Sequence, residues 1–164
     1  METAVNIATF LRAEDIALDL SAANKQAAIE AASELLCPGE DACRKAVLQA
    51  LLAREQLGST GLGRGVALPH ARSNTLAAPR IALMRLEQSV DFGAADGDPV
   101  DLVLAVIWPA EAMDDFLGTL SKFCKMLREP RLLQGLRDVA TPEEASELLR
   151  LTAEQTAGPD KARA

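Results

Sequence analysis

Apolar and polar residues alternate along Asp15-Ile-Ala-Leu-Asp-Leu20, which puts Ile16, Leu18 and Leu20 on one face and predicts a β-strand. Ser21 is a candidate cap for a helix over residues 22–36, and Cys37-Pro-Gly39 would end it. From Asp41 to Leu57 the period lengthens to that of a helix. Cys43, Ala46, Val47, Ala50 and Leu51 form its apolar stripe, spaced i, i+3, i+4 for a helix lying on a core. Gly58 closes this second helix. The run Ser59-Thr-Gly-Leu-Gly-Arg-Gly65 that follows is too glycine-dense for regular structure.

Residues 66–68 predict a short strand, because Pro69 pushes Leu68 toward an extended conformation. His70 then falls just past a strand end, on a turn. Residues 80–87 read as another strand and residues 90–92 as a shorter one. Residues 102–108 are apolar throughout, the pattern of a strand buried on both faces, and Pro109 ends it. Asp114 or Asp115 would cap a helix carrying Phe116, Leu117, Leu120, Phe123, Cys124 and Leu127 on one face. A short helix near residues 131–138 comes next. Thr141-Pro-Glu-Glu144 is a capping box with proline at the first helical position, and it marks the start of the last helix. Strands interleaved with helices predict an α/β domain with a mixed sheet.

The length of 164 residues suits one domain. It is expected over residues 1–155, with a flexible tail over residues 156–164 that holds Gly158, Pro159 and Lys161. Apolar residues make up 49% of the chain and charged residues 25%, which excludes a disordered chain. The longest apolar run, residues 102–110, is far shorter than the roughly 20 residues of a membrane span. No Lys or Arg precedes Arg12, so no signal peptide is expected. Asp and Glu number 24 against 17 Lys and Arg, a net charge of −7 that argues against a nucleic-acid partner. Cys37, Cys43 and Cys124 form no CxxC pair, so the expectation is three reduced, mostly buried thiols in a cytoplasmic protein, with no metal site. His70 is the only histidine, so any imidazole chemistry falls to it.

The chemistry concentrates between Arg54 and Arg72. Gly61, Gly63 and Gly65 permit positive φ, and consecutive backbone N–H groups in such a loop can converge on an anion. Ser59 and Thr60 add hydroxyls. Arg54, Arg64 and Arg72 add positive charge near in sequence. A neutral imidazole is a competent nucleophile toward a phosphoryl group, and donors and guanidinium groups stabilise the charge on that group. Other motifs fail. No Lys follows the glycines as in a P-loop, the spacing is GxGxG rather than GxGxxG, and no GxSxG elbow exists.

The run Ser59-Thr-Gly-Leu-Gly-Arg-Gly-Val-Ala-Leu-Pro-His70 resembles the active-site motif of fructose/mannitol-type enzyme IIA domains of the bacterial phosphotransferase system. It is most similar to the nitrogen-regulatory IIA branch. The resemblance extends through Val90-Asp-Phe92, Asp98-Pro-Val-Asp-Leu102, the apolar strand and the following helix, roughly from Asp15 to Leu149. It implies a mixed β-sheet sandwiched by helices and reversible phosphoryl transfer through His70, without a cofactor. The donor implied is a small HPr-type phosphocarrier protein. In transport members the phosphate passes on to a IIB domain, whereas in the nitrogen-regulatory branch the phosphorylation state sets which regulatory targets are bound. Arg54 matches the arginine of the Arg-Glu-x-x-x-Ser-Thr-Gly pattern and would help hold the phosphate.

One position departs from the family pattern. A second histidine usually stands in the first turn of the helix after the apolar strand, and here Phe116 occupies that place. Phe116 shares a stripe with Leu120, Phe123 and Leu127, which suits core packing; half exposed, it would instead serve a docking surface. Two alternatives to the nitrogen-regulatory reading follow. One is a non-catalytic IIA-like regulatory module. The other is a sugar-specific IIA component, although the chain has no IIB-like cysteine loop.

Overall fold

The computed structural model describes residues 11–163, except for the side chains of residues 113, 114 and 156–163. The expectation about the first ten residues lies outside the described residues. The strands are β1 (Ile16–Leu20), β2 (Gly61–Gly63), β3 (Val66–Ala67), β4 (His70–Ser73), β5 (Arg80–Val90) and β6 (Val100–Pro109). The helices are α1 (Lys25–Leu36), α2 (Asp41–Leu57), α3 (Met113–Met126), α4 (Pro130–Asp138) and α5 (Pro142–Arg163).

Strand β6 is the spine of a six-stranded mixed sheet ordered β1-β5-β6-β3-β2, with β4 also paired to β6. β5 lies antiparallel on one side of β6, while β3 and β4 lie parallel on the other. Alternate residues of β6 enter opposite cores. Leu102, Leu104, Val106 and Trp108 face one. Val103, Ala105 and Ile107 face the other. This period of two on the apolar run of residues 102–108 requires cover on both faces. Ile29, Leu36, Val47 and Leu51 from α1 and α2 cover one face. Phe116, Phe123, Leu133, Leu136 and Leu149 from α3, α4 and α5 cover the other. The sheet sandwiched by helices is therefore the observed architecture.

Several boundaries differ from expectation, each for a local reason. α1 begins after Asn24, whose Oδ1 accepts the Ala27 N–H at 2.9 Å, so Asn24 rather than Ser21 is the cap. In β1 the alternation breaks at Asp19, where φ is +56°. Leu18 therefore packs on one core and Leu20 on the other. Residues 80–87 and 90 belong to one strand, because an irregularity between Arg85 and Val90 carries the pairing onward. α3 is capped by the backbone at Ala112, so Asp115 sits inside its first turn; the side chain of Asp114 lies outside the described residues. The Thr141–Glu144 capping box forms as expected, with Glu144 N–H donating to Thr141 Oγ1 at 3.1 Å and Thr141 N–H donating to Glu144 Oε1 at 3.3 Å. The backbone of α5 runs to Arg163, through the stretch read as a tail.

Two corrections bear on chemistry. Cys37 and Cys43 are joined as a disulfide, so the three thiols are not all free, and Cys124 is the free one. The two cysteines are six residues apart, across the Pro38-Gly39 corner, a closure that no CxxC spacing announces. The glycine run is also partly regular. Gly61–Gly63 pairs antiparallel with Val66–Ala67 as a tight hairpin, with positive φ at Gly63, Arg64 and Gly65.

The hairpin turn is locked from outside. Arg137 Nη2 donates to the Arg64 carbonyl at 2.7 Å and to Asp101 Oδ1 at 2.9 Å. A Cβ on Gly65, where φ is +81°, would lie 2.6 Å from that Nη2 and 3.1 Å from that Oδ1. Gly65→Ala is therefore expected to destabilise the chain by about 1–3 kcal/mol, combining a left-handed backbone with the clash. Urea unfolding checks this through a lower midpoint at unchanged m value.

Candidate functional site

The site forms where β4 runs beside β6. Val66, Ala67, His70 and Ala71 pair with Leu102, Val103, Val106 and Ile107 in one continuous parallel register. The Leu68-Pro69 step interrupts the ladder without shifting it, and the Pro69 carbonyl still accepts the Val106 N–H at 2.9 Å. His70 is thus held in a strand, not on a turn. Its neighbours in register, Val66 and Leu68, face the α3 side of the sheet, so its ring lies on that side.

His70 Nδ1 lies 2.8 Å from the Leu68 carbonyl oxygen. A carbonyl only accepts, so Nδ1 carries the proton and Nε2 keeps its lone pair. Desolvation is the main cause that pushes the His70 pKa below its ordinary value, and the nearby Arg54 guanidinium adds to it. The Leu68 carbonyl and the Glu55 carboxylate oppose this shift. The result is a neutral imidazole whose Nε2 is unprotonated.

Phe116 forms the apolar wall. It is 5% exposed, so it belongs to the core and is not a half-exposed docking residue. Its ring centroid lies 6.0 Å from that of His70 and 5.6 Å from that of Trp108. Trp108 Nε1 is buried without a hydrogen-bond partner among the described residues, and Phe116 offers it no acceptor.

Arg54, in the last turn of α2, donates from Nη1 to the Gly58 carbonyl at 3.0 Å, closing the helix end. The next residue, Glu55, was not singled out from the sequence. Its side chain is 4% exposed and accepts three donors. These are the Thr60 N–H at 2.9 Å, the Thr60 hydroxyl at 2.7 Å and the Lys25 ammonium at 3.0 Å. A signal existed: Glu55 lies four residues after Leu51 on the buried stripe, where a carboxylate demands partners.

The expected loop residues divide. The Thr60 hydroxyl is committed to Glu55. The Ser59 hydroxyl donates to the Phe92 carbonyl at 2.6 Å and accepts the Gly61 N–H at 3.0 Å. Gly61 packs so closely that an added Cβ would lie 2.8 Å from Ala94 Cβ. Arg64 N–H donates to Asp96 Oδ2 at 2.9 Å, and its Nη1 to the Arg128 carbonyl at 3.0 Å. Val66, next to that turn, lies four ladder positions before His70, roughly 13 Å along the strand. Gly63, Arg64 and Gly65 therefore shape the hairpin and do not gather around the imidazole. Arg72 lies two residues beyond His70 on the same face of the sheet and is exposed. Leu57, just past Arg54, and Leu117, just past Phe116, are exposed apolar side chains at 84% and 59%. Among the described residues no group of His, Cys, Asp and Glu gathers to hold a metal ion. No described helix is long and apolar enough to cross a membrane.

Residues 9–151 match the family described as "Phosphoenolpyruvate-dependent sugar phosphotransferase system, EIIA 2". A nitrogen regulatory protein of Klebsiella oxytoca is 33% identical over 150 residues, covering 90% of this chain and 92% of that one. The crystal structure of nitrogen regulatory protein IIA-Ntr from Neisseria meningitidis superposes with a TM-score of 0.82 at 34% identity, covering 87% of this chain and 98% of that one. A complex of the mannitol enzyme IIA with phosphorylated enzyme IIB from Escherichia coli matches with a TM-score of 0.71 at 27% identity, covering 85% and 96%.

The lowered His70 pKa has a consequence for stability. The unfolded chain binds the His70 proton more tightly than the folded one, so the stabilising contribution is complete above about pH 6.5. It is lost as pH falls from there through the lowered folded value. An NMR titration of the single imidazole should give a midpoint below 6.5, and His70→Gln should remove that part of the pH dependence of unfolding.

Proposed function

We propose, for a chain that belongs to the EIIA type 2 family of the phosphoenolpyruvate-dependent sugar phosphotransferase system, that His70 accepts a phosphoryl group on Nε2 from an HPr-type phosphocarrier. The observation that carries this reading is the hydrogen bond from His70 Nδ1 to the Leu68 carbonyl, which leaves Nε2 as the nucleophile. The Nε2 lone pair attacks phosphorus. The bond from phosphorus to the carrier's imidazole breaks, and the carrier keeps that electron pair. Positive charge develops on the His70 ring, and the Leu68 carbonyl stabilises it by a charge-assisted hydrogen bond. Arg54 supplies the cation for the phosphoryl oxygens, with Arg72 on the same face of the sheet as a second positive charge. Ser59, Thr60 and the glycines act by holding the hairpin that precedes His70. Exposed Leu57 and Leu117 give a protein partner apolar contact beside this positive charge.

We further propose that the chain acts in the nitrogen-regulatory branch, signalling to regulatory protein targets through the phosphorylation state of His70. The similarity to nitrogen regulatory proteins over most of both chains supports this. Phosphoryl exchange with a small phosphocarrier protein, as proposed, suits a cytoplasmic protein. The likeness to the mannitol protein supports a sugar-specific IIA component as the nearest rival. Phe116 favours one more reading, a binding module without efficient transfer, because a phenyl ring donates no hydrogen bond to a phosphoryl group.

Incubated with enzyme I, an HPr-type carrier and phosphoenolpyruvate, the chain should gain the mass of one phosphoryl group, and His70→Ala none. Arg54→Gln should slow the gain roughly tenfold, the worth of one charge-assisted hydrogen bond. Phe116→His should speed it by about the same factor. No mass gain in the unsubstituted chain refutes phosphoryl transfer and leaves the binding module.

A further inference from the structure

The corner between α1 and α2 carries a second piece of chemistry, on the face of the sheet away from His70. Cys37 caps the C-terminus of α1 and Cys43 lies in the first turn of α2. Their Cα atoms are 5.9 Å apart, within the usual span of a disulfide. Cys37 is buried, whereas Cys43 is only half-buried. Arg80 Nη1 lies 3.8 Å from Cys43 Sγ, and it also donates to the Leu36 carbonyl at 2.9 Å and to Glu40 Oε2 at 3.2 Å. A guanidinium held against sulfur favours the thiolate, the reactive form. Beside the corner lies an open cleft of about 340 Å³, with Cys37, Pro38, Gly39 and Arg44 in its walls. Cys124 has the opposite surroundings, since burial pushes its thiol pKa up.

We propose that Cys37 and Cys43 form a reversible dithiol–disulfide site that exchanges with low-molecular-weight disulfides of the glutathione type, its closed form stapling α1 to α2. In the oxidising direction the Cys43 thiolate attacks one sulfur of the small disulfide. That S–S bond breaks, and one small thiol leaves. The Cys37 thiolate then attacks Cys43 Sγ and expels the second small thiol. Two protein thiols are oxidised, one small disulfide is reduced, and the two protons pass to the departing thiols. The far end of the same helix pair is tied by the ion pair of Lys25 with Glu55. Closing the disulfide therefore holds both ends of the unit that carries Arg54.

The test uses the full chain equilibrated in buffers running from reduced to oxidised glutathione, then acid-quenched, alkylated and mapped by peptide mass. The expected result is a pair that opens and closes reversibly while Cys124 stays a thiol. Cys37→Ser should retain one glutathione on Cys43. In the reduced chain, Arg80→Gln should slow alkylation of Cys43 by about threefold or more, and Arg80→Lys should restore it. Three results would each overturn the proposal. The pair stays open in oxidised glutathione, or stays closed in reduced glutathione until the chain is denatured, or Cys37→Ser captures no glutathione. These readouts concern the thiols alone, so they succeed or fail separately from phosphorylation of His70.

Discussion

The buried carboxylate of Glu55 is the interaction on which the site depends. It closes the turn from α2 into the hairpin by taking both donors of Thr60, and it anchors the start of α1 through Lys25. Thr60 in turn accepts the Leu68 N–H at 3.0 Å, and the Leu68 carbonyl orients the His70 ring. A continuous chain of hydrogen bonds thus runs from one buried charge to the His70 imidazole. Leaving such a charge without its partners is costly, so the arrangement is held as a unit.

The second constraint is the sheet. β6 is apolar on both faces, so helices must cover both, and the strands beside it must keep a strict register. That register places His70 level with Val106 and Arg72 level with Trp108. The Leu68-Pro69 step is tolerated because the ladder resumes without a shift. The imidazole then meets Phe116, where a phenyl ring keeps water away but donates nothing. Its neutral state and its free Nε2 are products of the same packing.

Much of the fold was legible in the sequence. The α2 stripe, the capping box before α5 and the apolar run of residues 102–108 within β6 each combine a strong period with clear end signals, and each appears where expected. Less legible were places where one residue overrides the local pattern. Asp19 adopts a positive φ and turns Leu20 to the other face, and Asn24 rather than Ser21 caps α1. The glycine run looked like a cradle for an anion. Its glycines instead allow close approach to Ala94, Asp96 and Arg137, contacts that come from distant parts of the chain.

The sequence by itself determined the layered α/β character and that His70 is the one imidazole, and it offered Arg54 as the arginine to accompany it. These follow from periodicity, composition and a contiguous motif, which need no knowledge of distant contacts. The tertiary structure decided which imidazole nitrogen is free and that Phe116 is buried against it. It decided as well that Glu55 carries the turn and that Cys37 meets Cys43. Each of these depends on groups brought together by folding, where burial and hydrogen-bond geometry set the chemistry and local spacing does not.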